Sequence, residues 1–494
     1  MTTSPVPDAP GPPLLVRRAE LDGRRLVDVR IAGGLVTEVS SQPLRPSPRE
    51  TVIDAAGGAL LPGLHDHHLH LMSLAAAASS VAVGPSDVHN RAGFAAALRD
   101  APGAASDWVR AIGYHPAVAG DLDRQALDAL LPDRPVRLQY RTGSLWVLNS
   151  RALDRAGVDG CDRPGVERDA AGRPTGRLWR MDDWLRAAVP PVAVDLAALG
   201  RAAAAAGVTG FTDATPARSP AEAATLMGAS TTGSLPQRLT LMRPEGGGDP
   251  GRPPSAPSRV GWGPVKIMLD DTTLPAPDAL AARIRLAHRA GHPVAVHCVT
   301  RVQLVVTVAA LADAGPHRSP GAGGPDRIEH GAVVPPELRP ALRALGAVVV
   351  TQPNFIAERG DRYLADVKDE DPATLYPAAS LLDAGIGLAG GTDAPFGGPD
   401  PWAAVAAAVD RRTATGRVVG PAERLSAGRA LDLFLGAAVA PHRPRVVRPG
   451  ATADLCLLRL PRDVALREPA AGNVAATVIG GRIVSGADTV GRPN

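Results

Sequence analysis

Short apolar segments alternate with alanine-rich segments through the middle of this chain, and that alternation limits the possible folds more than any other feature. β-Forming runs predict strands, and segments such as Ala279–Ala290 and Pro336–Leu345 predict the helices between them. Eight strand–helix units indicate an α/β fold, a parallel (β/α)8 TIM-like barrel. The predicted strands are Leu60–Leu64, Val208–Asp213, Arg238–Met242, Val265–Leu269, Val294–His297, Arg327–His330, Val348–Thr351 and Gly387–Ala389.

Both ends of the chain are rich in β-forming residues instead. Gly33-Gly34 near the start and Gly480-Gly481 near the end are hairpin turn signals flanked by such runs. Because chain termini usually lie close together, we expect residues 1–59 and 443–494 to pair as one small β-sandwich.

A long segment separates the first two predicted barrel strands. The first strand is assigned to residues 60–70, the rest of the barrel to 206–442, and the intervening residues 71–205 form a large insertion. Loops that follow barrel strands lie at the C-terminal mouth, so this insertion is predicted to be a lid over that mouth.

Composition excludes several classes of protein. Of the 494 residues, 45% are apolar and 21% charged, which is ordinary for a globular protein and excludes general disorder. The net charge of +3 comes without a basic cluster, so no nucleic-acid partner is expected. No apolar run approaches the roughly 20 residues that a membrane span needs. Three scattered cysteines and an N-terminus without signal-peptide character predict a cytoplasmic protein.

A histidine-rich run ends the first predicted strand, with the sequence Pro-Gly-Leu-His-Asp-His-His-Leu-His at 62–70. His68 and His70 are two residues apart, so in extended backbone they project from one face and can chelate a divalent ion. His65 and His67 form a competing pair on the opposite face. The spacing alone does not choose between the two pairs.

Other candidate residues fall at or near the ends of later predicted strands. Lys266, His297 and His330 lie on three of them, and Asp393 follows the last one. Catalytic residues of barrel enzymes lie at the C-terminal ends of the strands, so these four side chains are predicted to meet there. Lys266 is notable because only two of the 53 basic residues, Lys266 and Lys368, are lysines.

These motifs together resemble the metal-dependent amidohydrolase superfamily, in particular the amidohydrolase-3 branch with N-acyl-D-amino-acid deacylases and N-substituted formamide deformylases. The resemblance covers nearly the whole chain. Besides the strand-end residues, it rests on the 62–70 run, on Asn-Ser-Arg-Ala-Leu at 149–153, on Gly-Val-Thr-Gly-Phe-Thr-Asp at 207–213 and on Gly-Gly-Thr-Asp-Ala-Pro at 390–395.

The resemblance implies a role for each matching residue. His68 and His70 would bind one divalent ion, and His297 and His330 a second one. Lys266, carboxylated on its side-chain nitrogen, would bridge the two. Asp393 would be a further ligand and the catalytic proton shuttle. One or two ions are implied, and Zn²⁺ is the ion that suits such ligands best.

Residues in the insertion are candidates for contact with a small-molecule substrate. They are Tyr114, His115, Arg141 and Trp146, of which Arg141 suggests an anionic group on the substrate. The chain departs from the family pattern at Ser144, where members often carry a histidine, and at Thr300-Arg301, where Gly-Asp is usual. These departures leave the substrate class open.

The sequence therefore predicts a metal-dependent hydrolase that cleaves an amide or N-acyl bond, a C–N bond other than a peptide bond. Asp393 would serve as general base and then general acid. Two alternatives stay open: a metal-assisted decarboxylase, lyase or isomerase on the same barrel, and a non-enzymatic binding protein. The oligomeric state also stays open, with a homodimer as one candidate.

Overall fold

The computed structural model describes residues 11–101, 107–216, 218–246, 259–317, 324–366, 374–486 and 490–491. The chain forms two compact units, one made of residues 1–70 and 196–494 and the other of residues 71–195. Each unit is described by itself. No helix in the described part of the chain is long and apolar enough to cross a membrane.

Eight parallel strands form the main sheet of the first unit, and each strand pairs with the next along the chain. At the seam between the last strand and the first, the backbone N–H of Asp393 donates to the carbonyl of His68 at 2.7 Å, so the barrel is nearly closed. The strands are β1 (Leu64–Leu69), β2 (Val208–Asp213), β3 (Arg238–Arg243), β4 (Val260–Ile267), β5 (Val294–Cys298), β6 (Arg327–His330), β7 (Val348–Thr351) and β8 (Gly387–Gly390).

Helices cover the outside of this barrel. Strands such as β2, β6 and β7 are buried at every position, as expected of a parallel sheet that is covered on both faces. The main helices are Leu196–Ala205, Pro220–Thr232, Pro277–Arg289, Arg301–Ala314, Arg339–Leu345, Asn354–Asp366, Ala378–Asp383, Pro401–Asp410 and Ala427–Asp432.

The first barrel strand differs from the prediction. Leu60–Pro62 pairs antiparallel with Leu455–Leu458 outside the barrel, and the barrel strand begins at Leu64. Pro62 cannot donate a ladder hydrogen bond, so it is excluded from a central strand. Gly63 joins the two segments, and a Cβ added there would lie 2.1 Å from Thr209 Cγ2. Residues 60–70 are therefore two strands and not one.

Two sheets are built from the ends of the chain. One has the order Val490–Gly491, Thr51–Asp54, Leu14–Leu21, Arg25–Ala32 and Leu35–Ser40, and the other has the order Arg482–Ser485, Val474–Ile479, Leu455–Leu458 and Leu60–Pro62. Both sheets contribute to one apolar cluster, with Val29 and Ile53 from the first and Leu455 and Val478 from the second. The two sheets therefore share one apolar core.

The second unit, residues 71–195, has its own six-stranded mixed sheet. Its order is Val166–Arg168, Pro174–Trp179, Leu145–Leu148, Val136–Tyr140, Val109–Tyr114 and Val81–Ala82. Its helices are Leu71–Ala78, Arg91–Arg99, Pro116–Ala119, Arg124–Asp128, Ser150–Ala156 and Asp182–Ala188. The predicted insertion extends to residue 205, but the structure groups helix Leu196–Ala205 with the barrel unit, where the Gly200 carbonyl accepts from Gln237 at 2.8 Å.

Gly63→Ala tests the packing of the chain where it passes from the strand Leu60–Pro62 into the barrel. The new methyl group would overlap the buried Thr209 side chain, so we expect the free energy of unfolding to fall by about 1–3 kcal/mol, the usual cost of overpacking. Gly228→Ala is the matched control, because a Cβ meets nothing within 4 Å there and the helix should gain stability. Urea denaturation of both variants is the measurement, and equal midpoints would contradict the packing argument.

Candidate metal centre

Three of the predicted ligands converge at the C-terminal end of the barrel. His68 on β1, His330 on β6 and Asp393 after β8 are all buried, and one ligand atom from each lies within 4.8 Å of the others. His70 adjoins them, with its Nε2 atom 3.3 Å from Asp393 Oδ1, while His68 Nε2 lies 3.5 Å from the same oxygen. Four of the six predicted ligands thus surround one point.

His297 and Lys266 lie beside this cluster. The ring of His297 packs edge-on against His330 with a centroid separation of 4.6 Å. Lys266 is only 2% exposed, and burial lowers its pKa, although Glu329 and Asp393 oppose that shift. Its Nζ atom has no hydrogen-bond partner among the described residues. A buried nitrogen without a partner is costly, so the atom is expected to hold a bound group.

Side chains behind the histidines fix which ring nitrogen faces the centre. His68 Nδ1 contacts Glu329 Oε2, and His330 Nδ1 lies 2.8 Å from Gln352 Oε1. An ionised carboxylate and an amide oxygen can only accept, so both Nδ1 atoms donate and both Nε2 atoms keep their lone pairs. Carboxylate–histidine pairs of this kind orient metal-binding histidines in proteins.

The third histidine has a similar outer partner. His70 Nδ1 lies 3.3 Å from Thr215 Oγ1, in the loop that follows β2. Thr215 itself is tied to β2, since its backbone N–H donates to Asp213 Oδ1 at 3.0 Å. Sequence reasoning missed Thr215, Gln352 and Glu329 as positioning groups. The only usable signal was the place of Glu329, which adjoins His330 within a predicted barrel strand.

The Glu329 carboxylate stays ionised although it is fully buried. Burial raises its pKa, but the Arg327 guanidinium and His68 outweigh that effect and hold the pKa below its usual range. Arg327 donates to Glu329 at 2.7 Å and to the carbonyl of His67 at 2.7 Å. The chain Arg327–Glu329–His68 therefore places a full negative charge behind the first histidine.

Asp393 is ionised for a related reason. Burial raises its pKa. The contact with His70 and the nearby His68 and His330 lower the pKa by more than burial raises it, so the net pKa is well below the usual value. Its Oδ1 atom has no hydrogen-bond donor of acceptable geometry among the residues described. The lone pairs of Asp393 Oδ1 and His68 Nε2 face each other, an arrangement that repels unless a cation lies between them.

Asp66 joins the first barrel strand to the segment that follows the last one. Its carboxylate accepts from the Thr392 hydroxyl at 2.5 Å and from the backbone N–H groups of Thr392 and His68, each at 3.1 Å. Burial raises its pKa to about 6. The aspartate of the 62–70 run is therefore a positioning group for the residues on either side of the seam.

The competing pair lies elsewhere. The rings of His65 and His67 are stacked on each other with a centroid separation of 4.5 Å, and both are buried. His65 Nε2 lies 2.9 Å from Thr212 Oγ1. Neither histidine belongs to the cluster of converging ligand atoms. The alternation along β1 separates the two pairs as the period of a strand requires.

The four candidate substrate contacts lie in the second unit. Tyr114 has no exposed surface and donates its hydroxyl to the Gly120 carbonyl at 2.6 Å, so it is part of that unit's core and cannot line an open pocket. His115 caps a short helix by accepting from Ala117 N–H at 3.0 Å. Arg141 is half-buried, and Trp146 is buried with its Nε1–H donated to Asp182 at 2.8 Å.

Comparisons with known proteins agree with this geometry. A model of the amidohydrolase family matches residues 51–485. The chain is 26% identical over 411 residues to the putative amidohydrolase YtcJ of Bacillus subtilis, covering 74% of this chain and 76% of the relative. It is 25% identical over 472 residues to the N-substituted formamide deformylase of Arthrobacter pascens, covering 82% and 84%.

The fold has a solved counterpart. An uncharacterized metal-dependent hydrolase from Pyrococcus horikoshii superposes with a TM-score of 0.67 at 18% identity, over 90% of this chain and 97% of that one. The chain therefore shares the fold of that solved structure. With a family model that spans most of the sequence, the protein belongs to the amidohydrolase family.

Proposed function

We propose that this amidohydrolase is a metal-dependent enzyme that cleaves an amide or N-acyl C–N bond outside peptides, with Asp393 as its proton shuttle. The convergence of His68, His330 and Asp393 at the carboxyl ends of three barrel strands carries the proposal. The name of the Arthrobacter pascens relative makes N-substituted formamides the first substrates to test.

The side chains present fit a divalent ion. His68, His70 and Asp393 would hold one ion, His297 and His330 a second, and a carboxylated Lys266 would lie between them. Imidazole nitrogen and carboxylate oxygen are ligands that suit Zn²⁺. The Lys266 Nζ and Asp393 Oδ1 atoms have no hydrogen-bond partner among the described residues, which supports this assignment. When bound, such an ion polarises the scissile carbonyl and lowers the pKa of bound water.

Asp393 supplies the proton transfers. Its carboxylate is ionised at neutral pH and carries an oxygen that no described donor occupies, so it can accept a proton from the attacking water. The same oxygen can then return that proton to the leaving nitrogen, which departs as a neutral amine. Gln352, Thr215 and Glu329 meanwhile keep the three imidazoles in fixed orientations.

Hydrolysis in ¹⁸O-labelled water tests the reaction class. A panel of N-substituted formamides and N-acyl amines is incubated with the metal-loaded enzyme, and the acid product is analysed by mass spectrometry. We expect one labelled oxygen in the product acid. A turned-over substrate whose product carries no label would instead favour the decarboxylase, lyase or isomerase alternative.

We expect substitutions in the two histidine pairs to have opposite effects on metal binding. His68→Ala and His70→Ala should lose tightly bound metal, because each removes a nitrogen that faces Asp393. His65→Ala and His67→Ala should retain metal, because those rings are stacked away from the cluster. Elemental analysis of the four dialysed variants is the measurement. Metal loss confined to the His65 and His67 variants would reverse the assignment.

Asp393→Asn separates metal binding from proton transfer. The amide keeps an oxygen that can face the metal but cannot accept the proton, so we expect most of the metal to stay and kcat to fall by at least about 10²-fold. Asp383→Asn, an exposed aspartate paired with Arg429, is the control and should leave kcat unchanged. A fully active Asp393→Asn enzyme would refute the shuttle role.

Lys266 is predicted to carry a carbamate. Its neutral amine, favoured by burial, attacks CO₂ at carbon, forms the N–C bond and releases a proton. ¹³C-bicarbonate added with metal should therefore give a carbamate NMR signal in the wild type and none in Lys266→Ala. The variant should be inactive and partly rescued by short carboxylates. A wild-type spectrum without the signal, in active enzyme, would contradict the prediction.

A further inference from the structure

Two guanidinium groups lie side by side on the sheet of the second unit. Arg110 and Arg137 are register partners on the parallel strands Val109–Tyr114 and Val136–Tyr140, so their side chains leave the same face. Both lie over the ring of Trp146, with guanidinium carbons 5.5 Å and 5.9 Å from the ring centroid. The sheet thus presents two cations on one aromatic surface.

Arg137 has no counter-charge among the residues that the structure describes. Its side chain is only 7% exposed, and it makes no hydrogen bond and no ion pair with any residue in the described ranges. Burial lowers its pKa to about 10, which still leaves the group charged at neutral pH. The contact with Trp146 compensates for only part of the hydration free energy that a buried cation loses. An unpaired buried charge is rarely kept without a function.

The surrounding groups do not neutralise the pair. Arg110 donates to the Ala76 carbonyl at 3.2 Å and to the Ser80 hydroxyl, both of which are uncharged. Burial and then the neighbouring Arg137 lower the pKa of Arg110 to about 10. Asp182 attracts Arg110 at a distance, but it accepts a hydrogen bond from Trp146 and none from either guanidinium within the described residues.

We propose that Arg110, Arg137 and the ring of Trp146 form a binding site for an oxyanion, the carboxylate or phosphate group of a small organic molecule. Guanidinium groups bind such oxygens in pairs, and the indole face offers flat apolar contact to the rest of the ligand. Arg141, the residue from which the sequence suggested an anionic group on the substrate, lies directly after the strand Val136–Tyr140. The structure favours Arg137 because that residue is buried and has no hydrogen-bond or ion-pair partner among the described residues.

Binding without turnover is the test, carried out on the full-length protein. Benzoate and inorganic phosphate are the anionic probes, and benzamide is the neutral match to benzoate. We expect saturable binding of both anions by calorimetry, a rise in Tm with benzoate and none with benzamide. Arg137→Met should weaken benzoate binding at least tenfold, whereas Arg151→Met, an exposed arginine of the same unit, should bind as the wild type does.

A purely structural role predicts a different result. If Arg137 served only to stabilise the sheet, Arg137→Met would lower the Tm of the ligand-free protein. Removal of an unpaired buried charge should instead leave that Tm equal or higher. Arg137→Lys keeps the charge without the guanidinium fork and should bind benzoate with intermediate affinity. Wild-type protein that binds neither anion, or Arg137→Met protein that binds both as tightly, would overturn the proposal.

Inhibition of amide hydrolysis distinguishes whether the oxyanion belongs to the substrate or to a separate ligand. Benzoate that competes with an amide substrate identifies the group as part of the substrate, and benzoate that binds without changing KM identifies a separate ligand. Both results support the site. Because binding is measured without turnover, a protein that binds benzoate but hydrolyses no amide keeps this site and loses only the proposed function.

Discussion

The arrangement of the candidate metal centre depends on the repulsion between lone pairs at the end of the barrel. Asp393 Oδ1 and His68 Nε2 face each other with Glu329 fixed behind the histidine. Water is largely excluded, since these residues are almost fully buried. Removal of hydration from an ionised carboxylate costs on the order of several kcal/mol, and a cation bound between the two atoms would offset that cost. The surrounding hydrogen bonds keep the ligands in place against that cost.

The backbone stores strain at the same place. His330 and Asp393 adopt φ angles of +70° and +56°, in the left-handed region that residues with a Cβ seldom occupy. His330 is the last residue of β6, and Asp393 lies three residues after the end of β8. Asp66, which binds Thr392 and His68, holds the seam against that strain. Strained residues of this kind cluster at functional sites.

The barrel could be predicted because strands and alanine-rich helices alternate along the chain, and because strands such as β7 are buried on both faces and consist largely of apolar residues. The predicted first strand differs from the structure, because the chain breaks at Gly63 where it packs against Thr209. The predicted insertion also included helix Leu196–Ala205, which the structure groups with the barrel. Tyr114 was misread because nothing in a tyrosine's neighbours along the chain distinguishes a core position from a pocket. Gln352 and Thr215 acquire their roles only through contacts between distant strands, which no local pattern encodes.

The break at Gly63 also bears on the order in which the molecule can assemble. Its N–H donates to the carbonyl of Asp454, and its carbonyl accepts from Arg445, so the segment that leads into His68 is held by residues near the end of the chain. Because synthesis proceeds from the N-terminus, the histidine strand leaves the ribosome long before these partners exist. The contacts that fix this segment, and with it the position of His68, therefore form only after residues 445–454 have been made.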